Sequence, residues 1–132
     1  MTAGERPMMP TTVHSISKYT VQILNTKSTA DKPKAQIIIR LFNEKGKDCG
    51  LAVFKDYGDQ NAQNPYGDHK KGTATAYFDI KHYHPFIEIL RMEKELFWKI
   101  AWQQTGPTKS VSDVSLDTKE EIIGEHFGNG GA

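Results

Sequence analysis

His82 and His84, separated by one residue, are the first groups in this chain whose type and spacing suggest chemistry. On a strand, residues two apart project to the same side, so both imidazoles could hold one metal ion. Glu88 follows four residues after His84 and adds a carboxylate. The set reads His-x-His-x-x-x-Glu, and a divalent metal is the cofactor it would take. The plainer alternative is a pair of surface histidines at a strand end. Pro85 suits the start of a helix, which would carry Glu88 away from the strand. On that reading there is no cofactor.

A second group lies in residues 56–71, where Tyr57-Gly58-Asp59 and Tyr66-Gly67-Asp68 repeat an aromatic-glycine-aspartate triplet. Asp56, Asp59 and Asp68, with nearby Asn and Gln carbonyls, could surround calcium. The spacing is not that of an EF-hand loop, and no glutamate closes it. The same stretch has what an interaction loop uses: rigid aromatics with adaptable polar neighbours. A solvated loop in which Asp and Asn make turns is the bland counterpart. A segment of this length without apolar anchors is either functional or mobile.

The spacing of His82, His84 and Glu88 is similar to the first metal motif of the cupins. That resemblance implies a double-sheet β-fold with metal-dependent chemistry. It covers only the histidine segment. Ala76 and Glu95 stand where the family's flanking glycines would fall, and no proline–glycine segment with its histidine follows between Gly106 and His126. For nucleophilic catalysis there is no Gly-x-Ser-x-Gly, and Cys49 has no patterned histidine beside it. A glycine-rich phosphate loop is also missing from the sequence.

The elements that must position these groups centre on residues 72–102. In residues 73–80, Ala74, Ala76, Phe78 and Ile80 alternate with Thr73, Thr75, Tyr77 and Asp79. Period-two alternation marks a half-buried strand, here with a polar face open to solvent. Leu96, Trp98, Ile100 and Trp102 share the core face of the next strand, opposite Phe97, Lys99 and Ala101. Between them, residues 85–95 place Phe86, Ile87, Ile89 and Leu90 on an apolar helical stripe. Upstream, residues 13–25, 35–42 and 50–55 read as strands; 35–42 is rich in β-branched residues and suits a central place. Turns fall at 43–48 and around Gly106-Pro107. Residues 111–118 form a hairpin with 96–102, and 119–127 read as a final short strand.

The expected fold is mainly β: an antiparallel β-sandwich or flattened barrel of six to seven strands with one short helix. Residues 1–12 are expected as a loose arm, 13–127 as a single β-rich domain and 128–132 as a frayed end. Seventeen basic and sixteen acidic residues leave a net charge of +1, so no charge argument supports nucleic acid or an anionic membrane as partner. One cysteine excludes an intrachain disulfide, and no apolar run of signal-peptide length opens the sequence. A cytoplasmic protein is the expectation.

For function, the expectation is a non-enzymatic binding module recognising a protein or carbohydrate. Its ligand residues would be Tyr57, Asp59, Tyr66 and Asp68 of the loop with Thr75 and Tyr77 of the polar strand face. One alternative is a metal-dependent enzyme using His82, His84 and Glu88. Another is a self-associating structural subunit, a homo-oligomer burying an edge strand and an apolar patch.

Overall fold

The computed structural model describes residues 10–26 and 34–119. The chain runs β1 (Thr11–Thr26), β2 (Lys34–Asn43), β3 (Asp48–Lys55), β4 (Tyr66–Asp68), β5 (Thr73–Asp79), a 3₁₀ turn (Ile80–His82), α1 (Tyr83–Met92), β6 (Leu96–Thr105) and β7 (Thr108–Thr118). The seven strands make one sheet in the order β4-β5-β3-β2-β1-β6-β7. The sheet curls until it is nearly closed into a barrel, with β4 approaching β7 across the seam. The mainly β flattened barrel with one short helix is therefore what the chain forms.

One pairing departs from the antiparallel rule. β3 and β5 run parallel, from Gly50↔Ala74 to Lys55↔Asp79. The connection through residues 56–72 permits this, because a parallel neighbour needs a long return path where a hairpin needs only a tight turn. Part of that return path becomes β4, which pairs antiparallel with the start of β5.

The core follows the periods. In β6, Leu96, Trp98, Ile100 and Trp102 are buried; Ile39 and Leu41 of β2 and Ala52 and Phe54 of β3 meet them. Phe86, Ile87 and Leu90 turn α1 inward. Phe54 joins the helix to the sheet: it stacks on Phe78 at 5.3 Å and meets Phe86 edge-on at 5.2 Å. Close approach across the barrel depends on Gly50. A Cβ built there would lie 2.1 Å from Trp98 Nε1, so the indole sits where any side chain would be. At the seam, a Cβ on Gly67 would meet Val111 Cγ2 at 2.9 Å.

The two indoles differ in their polar ends. Trp102 Nε1 donates to Thr12 Oγ1 at 2.9 Å. Trp98 Nε1 is buried without a hydrogen-bond partner among the described residues. His14 Nε2 donates to the Gly72 carbonyl at 2.6 Å and ties β1 to the turn before β5.

Several boundaries shift. Thr11 and Thr12, expected in a loose arm, pair with Ala101 and Ile100, and the Pro10 carbonyl accepts from Trp102 N–H at 2.9 Å. The helix spans Tyr83–Met92 instead of residues 85–95, with Pro85 still in the first turn, where its missing N–H costs no helical bond. The hairpin β6–β7 is longer than expected, its ladder closing at Thr105↔Thr108 around Gly106-Pro107. Residues 1–9, residues 27–33, the body of the strand expected over 119–127 and the end 128–132 lie outside the described residues. Among the described residues no helix is long and apolar enough to cross a membrane.

Trp98→Ala should cost about 3–5 kcal/mol of stability, since it removes a fully buried large side chain. Gly50→Ala should cost about 1–3 kcal/mol through overpacking against the same indole. Denaturant unfolding checks both; a loss under about 1 kcal/mol for Trp98→Ala would place the indole outside the core.

Candidate functional site

Because Ala74, Ala76 and Phe78 pack against the core, β5 turns Thr73, Thr75 and Tyr77 to the outside of the barrel. The register sets Thr75 between Leu51 of β3 and Tyr66 of β4, and Tyr77 beside Val53. Tyr66 and Tyr77 thus become diagonal neighbours. Their rings lie 6.1 Å apart at 30°, forming a tilted shelf, with Tyr66 60% exposed.

The loop adds a third phenol. Tyr57 O–H donates to Gln63 Oε1 at 3.2 Å, and Lys55 Nζ donates to the same oxygen at 3.4 Å. That ammonium also stands 5.6 Å over the Tyr77 ring, a cation–π contact. Gln63 and Lys55 therefore connect Tyr57 to the Tyr66–Tyr77 pair. Asp79 holds the arrangement from below: one oxygen accepts from Tyr57 N–H at 3.2 Å, the other from Lys81 N–H at 3.0 Å. These two donated bonds, first that from Lys81, hold its carboxyl below the usual carboxylate range.

Burial pushes the Tyr77 phenol up to about 12, helped by the hydrogen bond and charge of Tyr66 and by Tyr57. Burial likewise raises Tyr57 above the ordinary phenol value. The Tyr57 and Tyr77 phenols therefore stay uncharged at neutral pH. Beside it opens a groove of about 430 Å³ lined by Asp48, Leu51, Tyr66, Asp68, Lys71 and Thr75.

The expected ligand residues divide. Tyr57, Tyr66 and Tyr77 come together. Thr75 lies on their face but is only 9% exposed, so the open polar face expected there is corrected: β3 and β4 flank it on both sides. Asp59 is exposed in the turn closed by Gln60 N–H to Tyr57 O. Asp68 accepts from Lys70 and Lys71 N–H at 3.0 and 3.4 Å, so it builds the β4–β5 turn. Asp56 accepts from Gly58 N–H at 2.9 Å in another turn. The aspartates thus serve separate turns instead of one calcium cage.

The strand placement of the metal motif is corrected. His82 ends the 3₁₀ turn and His84 lies in α1. Residues two apart on a helix point in divergent directions, which separates the imidazoles that a strand would have aligned. His84 and Glu88 remain one turn apart on the exposed side of α1. Among the described residues no three His, Cys, Asp or Glu side chains gather to hold a metal. The Cys49 thiol is buried, and burial with the neighbouring Asp48 charge pushes it up to about 11, which makes it a poor nucleophile.

Lys55, Gln63 and Asp79 were not among the residues the sequence singled out. Asp79 carried a signal, an aspartate directly before a helical start. Lys55 and Gln63 carried none, because their meeting depends on how the loop returns over β3.

Ultraviolet titration should show one tyrosine ionising well above the ordinary phenol value, and Tyr77→Phe should remove that step. The raised value means the native state holds its proton more tightly than the unfolded chain. This contribution to stability is complete below about pH 10 and is lost as pH rises through about 12. A titration in which all phenols ionise near their ordinary value would show Tyr77 to be open to water.

No protein-family model, no curated protein and no solved structure matches this chain at a significant level.

Proposed function

We propose that this protein is a non-enzymatic binding module whose ligand, a carbohydrate or a protein surface, seats on the outer face formed by Tyr57, Tyr66 and Tyr77. The observation that carries this reading is the ring shelf of exposed Tyr66 and half-buried Tyr77, with Lys55 and Gln63 poised at its edge. A flat aromatic surface removes apolar C–H groups from water, while its hydroxyls satisfy polar neighbours. The adjoining groove is lined by both acceptor (Asp68, and Asp48 beside its partner Arg40) and donor (Lys71) side chains, as a neutral polyhydroxyl ligand or a peptide backbone requires. Rigid tyrosines also lose little conformational entropy on binding, which suits them as anchors.

The test is a titration of a panel of neutral oligosaccharides, and separately of unstructured peptides, followed by NMR on the tyrosine rings. A ligand of this face shifts Tyr57, Tyr66 and Tyr77 together. Tyr57→Ala with Tyr66→Ala should weaken it by about tenfold or more, as expected for anchor residues. His82→Ala with His84→Ala should leave affinity unchanged. Binding that survives the tyrosine substitutions but is lost with the histidines would move the site to α1 and reject this reading.

A further inference from the structure

We infer that the free edge of β1 is a homodimerisation surface, on which a second copy of this chain adds the same strand antiparallel about a two-fold axis at Val21. The inference is independent of the tyrosine face. β1 has β6 as a neighbour only from Thr11 to Ser15, because β6 begins at Leu96. From Ile16 to Thr26 its ladder partner is β2 alone. Among the described residues, the opposite edge of that span carries no strand.

An edge of this kind exposes a row of N–H and C=O groups, and proteins ordinarily blunt it with charge, proline or a bulge. Here the bulge falls early, between Ile16 and Lys18. Tyr19-Thr20-Val21-Gln22-Ile23-Leu24-Asn25 then contains neither charge nor proline. Thr20, Val21, Gln22 and Ile23 are exposed in succession, so both faces of the strand are open there. Val21 is 40% and Ile23 73% exposed, although the register with Ile39 and Ile37 puts them on the side that faces the core further along β2. The apolar surface of the barrel thus continues out along an uncovered strand.

The second copy is the occupant that the sequence of this edge fits. A two-fold axis at Val21 sets Val21 opposite Val21, Tyr19 opposite Ile23, Thr20 opposite Gln22 and Lys18 opposite Leu24. Val21 and the Tyr19–Ile23 pairs then share one face; Thr20 and Gln22 share the other, where Leu24 lies against the aliphatic stem of Lys18, and no like charges meet. Such self-complementarity is what an isologous interface needs. It also joins the two apolar faces side by side, removing part of the Val21 and Ile23 surface of both copies from water.

The experiment uses the full chain in sedimentation velocity at rising concentration, with Val21→Lys and Ile23→Lys combined as the disrupting variant. The expected result is a concentration-dependent dimer that the variant weakens by roughly tenfold or more, because the ammonium groups at position 21 face one another across the axis and those at position 23 replace the apolar partner of Tyr19. Unchanged far-ultraviolet circular dichroism would show that the variant keeps the fold. A second measurement fixes the register. Val21→Cys should crosslink to its own copy under mild oxidation, since directly opposed residues bring their Cβ atoms within disulfide reach; Val13→Cys, exposed but beside β6, should not. A chain that stays monomeric throughout would overturn the inference, as would a dimer indifferent to the lysine substitutions. A monomer that dimerises only after removal of residues 120–132 would overturn it too, and would assign the edge to the chain's own terminus.

Discussion

Trp98 seated on Gly50 is the contact on which this barrel depends. The indole crosses from β6 to β3, strands that are not neighbours in the sheet, and occupies the space a Cβ would need. The distance across the flattened core is set there. Ile39, Leu41, Ile100 and Trp102 fill the same layer, and α1 closes it with Phe86, Ile87 and Leu90. The arrangement leaves the Trp98 N–H without a partner among the described residues, a cost that the burial of so large an apolar surface offsets. Trp102, two pleat repeats further on, satisfies its own N–H on Thr12 and so ties the strand's far end to β1.

From that core the outer surface follows. Once Ala74, Ala76 and Phe78 are committed inward, Thr73, Thr75 and Tyr77 must face out, because a strand has only two sides. The parallel pairing of β5 with β3 requires a long connection, and part of it returns as β4 to lay Tyr66 beside Tyr77. The tyrosine shelf is therefore a product of topology as much as of composition. Asp79 links the two: its carboxylate receives the N–H that begins the loop and the N–H that begins the helical turn. The same residue that starts the path toward α1 thus anchors the loop that bears Tyr57.

The two proposed surfaces differ in what makes them available. The tyrosine face is centred on β5, which is paired on both sides by β3 and β4, and its aromatics are held by cross-strand and cation–π contacts. The β1 edge is available because β6 stops short of it, so the strand outruns its neighbour. A long strand beside a shorter one always leaves such a remainder; whether it is hazardous or useful depends on its side chains.

The strands, the faces of β5 and β6 and the apolar stripe of the helix were legible in the residues themselves. Alternation and helical spacing are local, and the local geometry of a strand or helix converts them directly into inside and outside. Leu96, Trp98, Ile100 and Trp102 are the plainest case. The gathering of Tyr57 and Tyr66 with Tyr77 was legible as a stretch of suitable types, but Lys55 and Gln63 were not, and neither was the burial of Thr75. His82 and His84 failed for a related reason: two residues share a face only if the backbone between them is extended, and the chain already turns helical at Ile80. Parallel pairing, the close approach at Gly50 and the overhang of β1 belong to the tertiary structure alone. Each depends on which strands become neighbours, and that is decided by how segments far apart in the chain share one core.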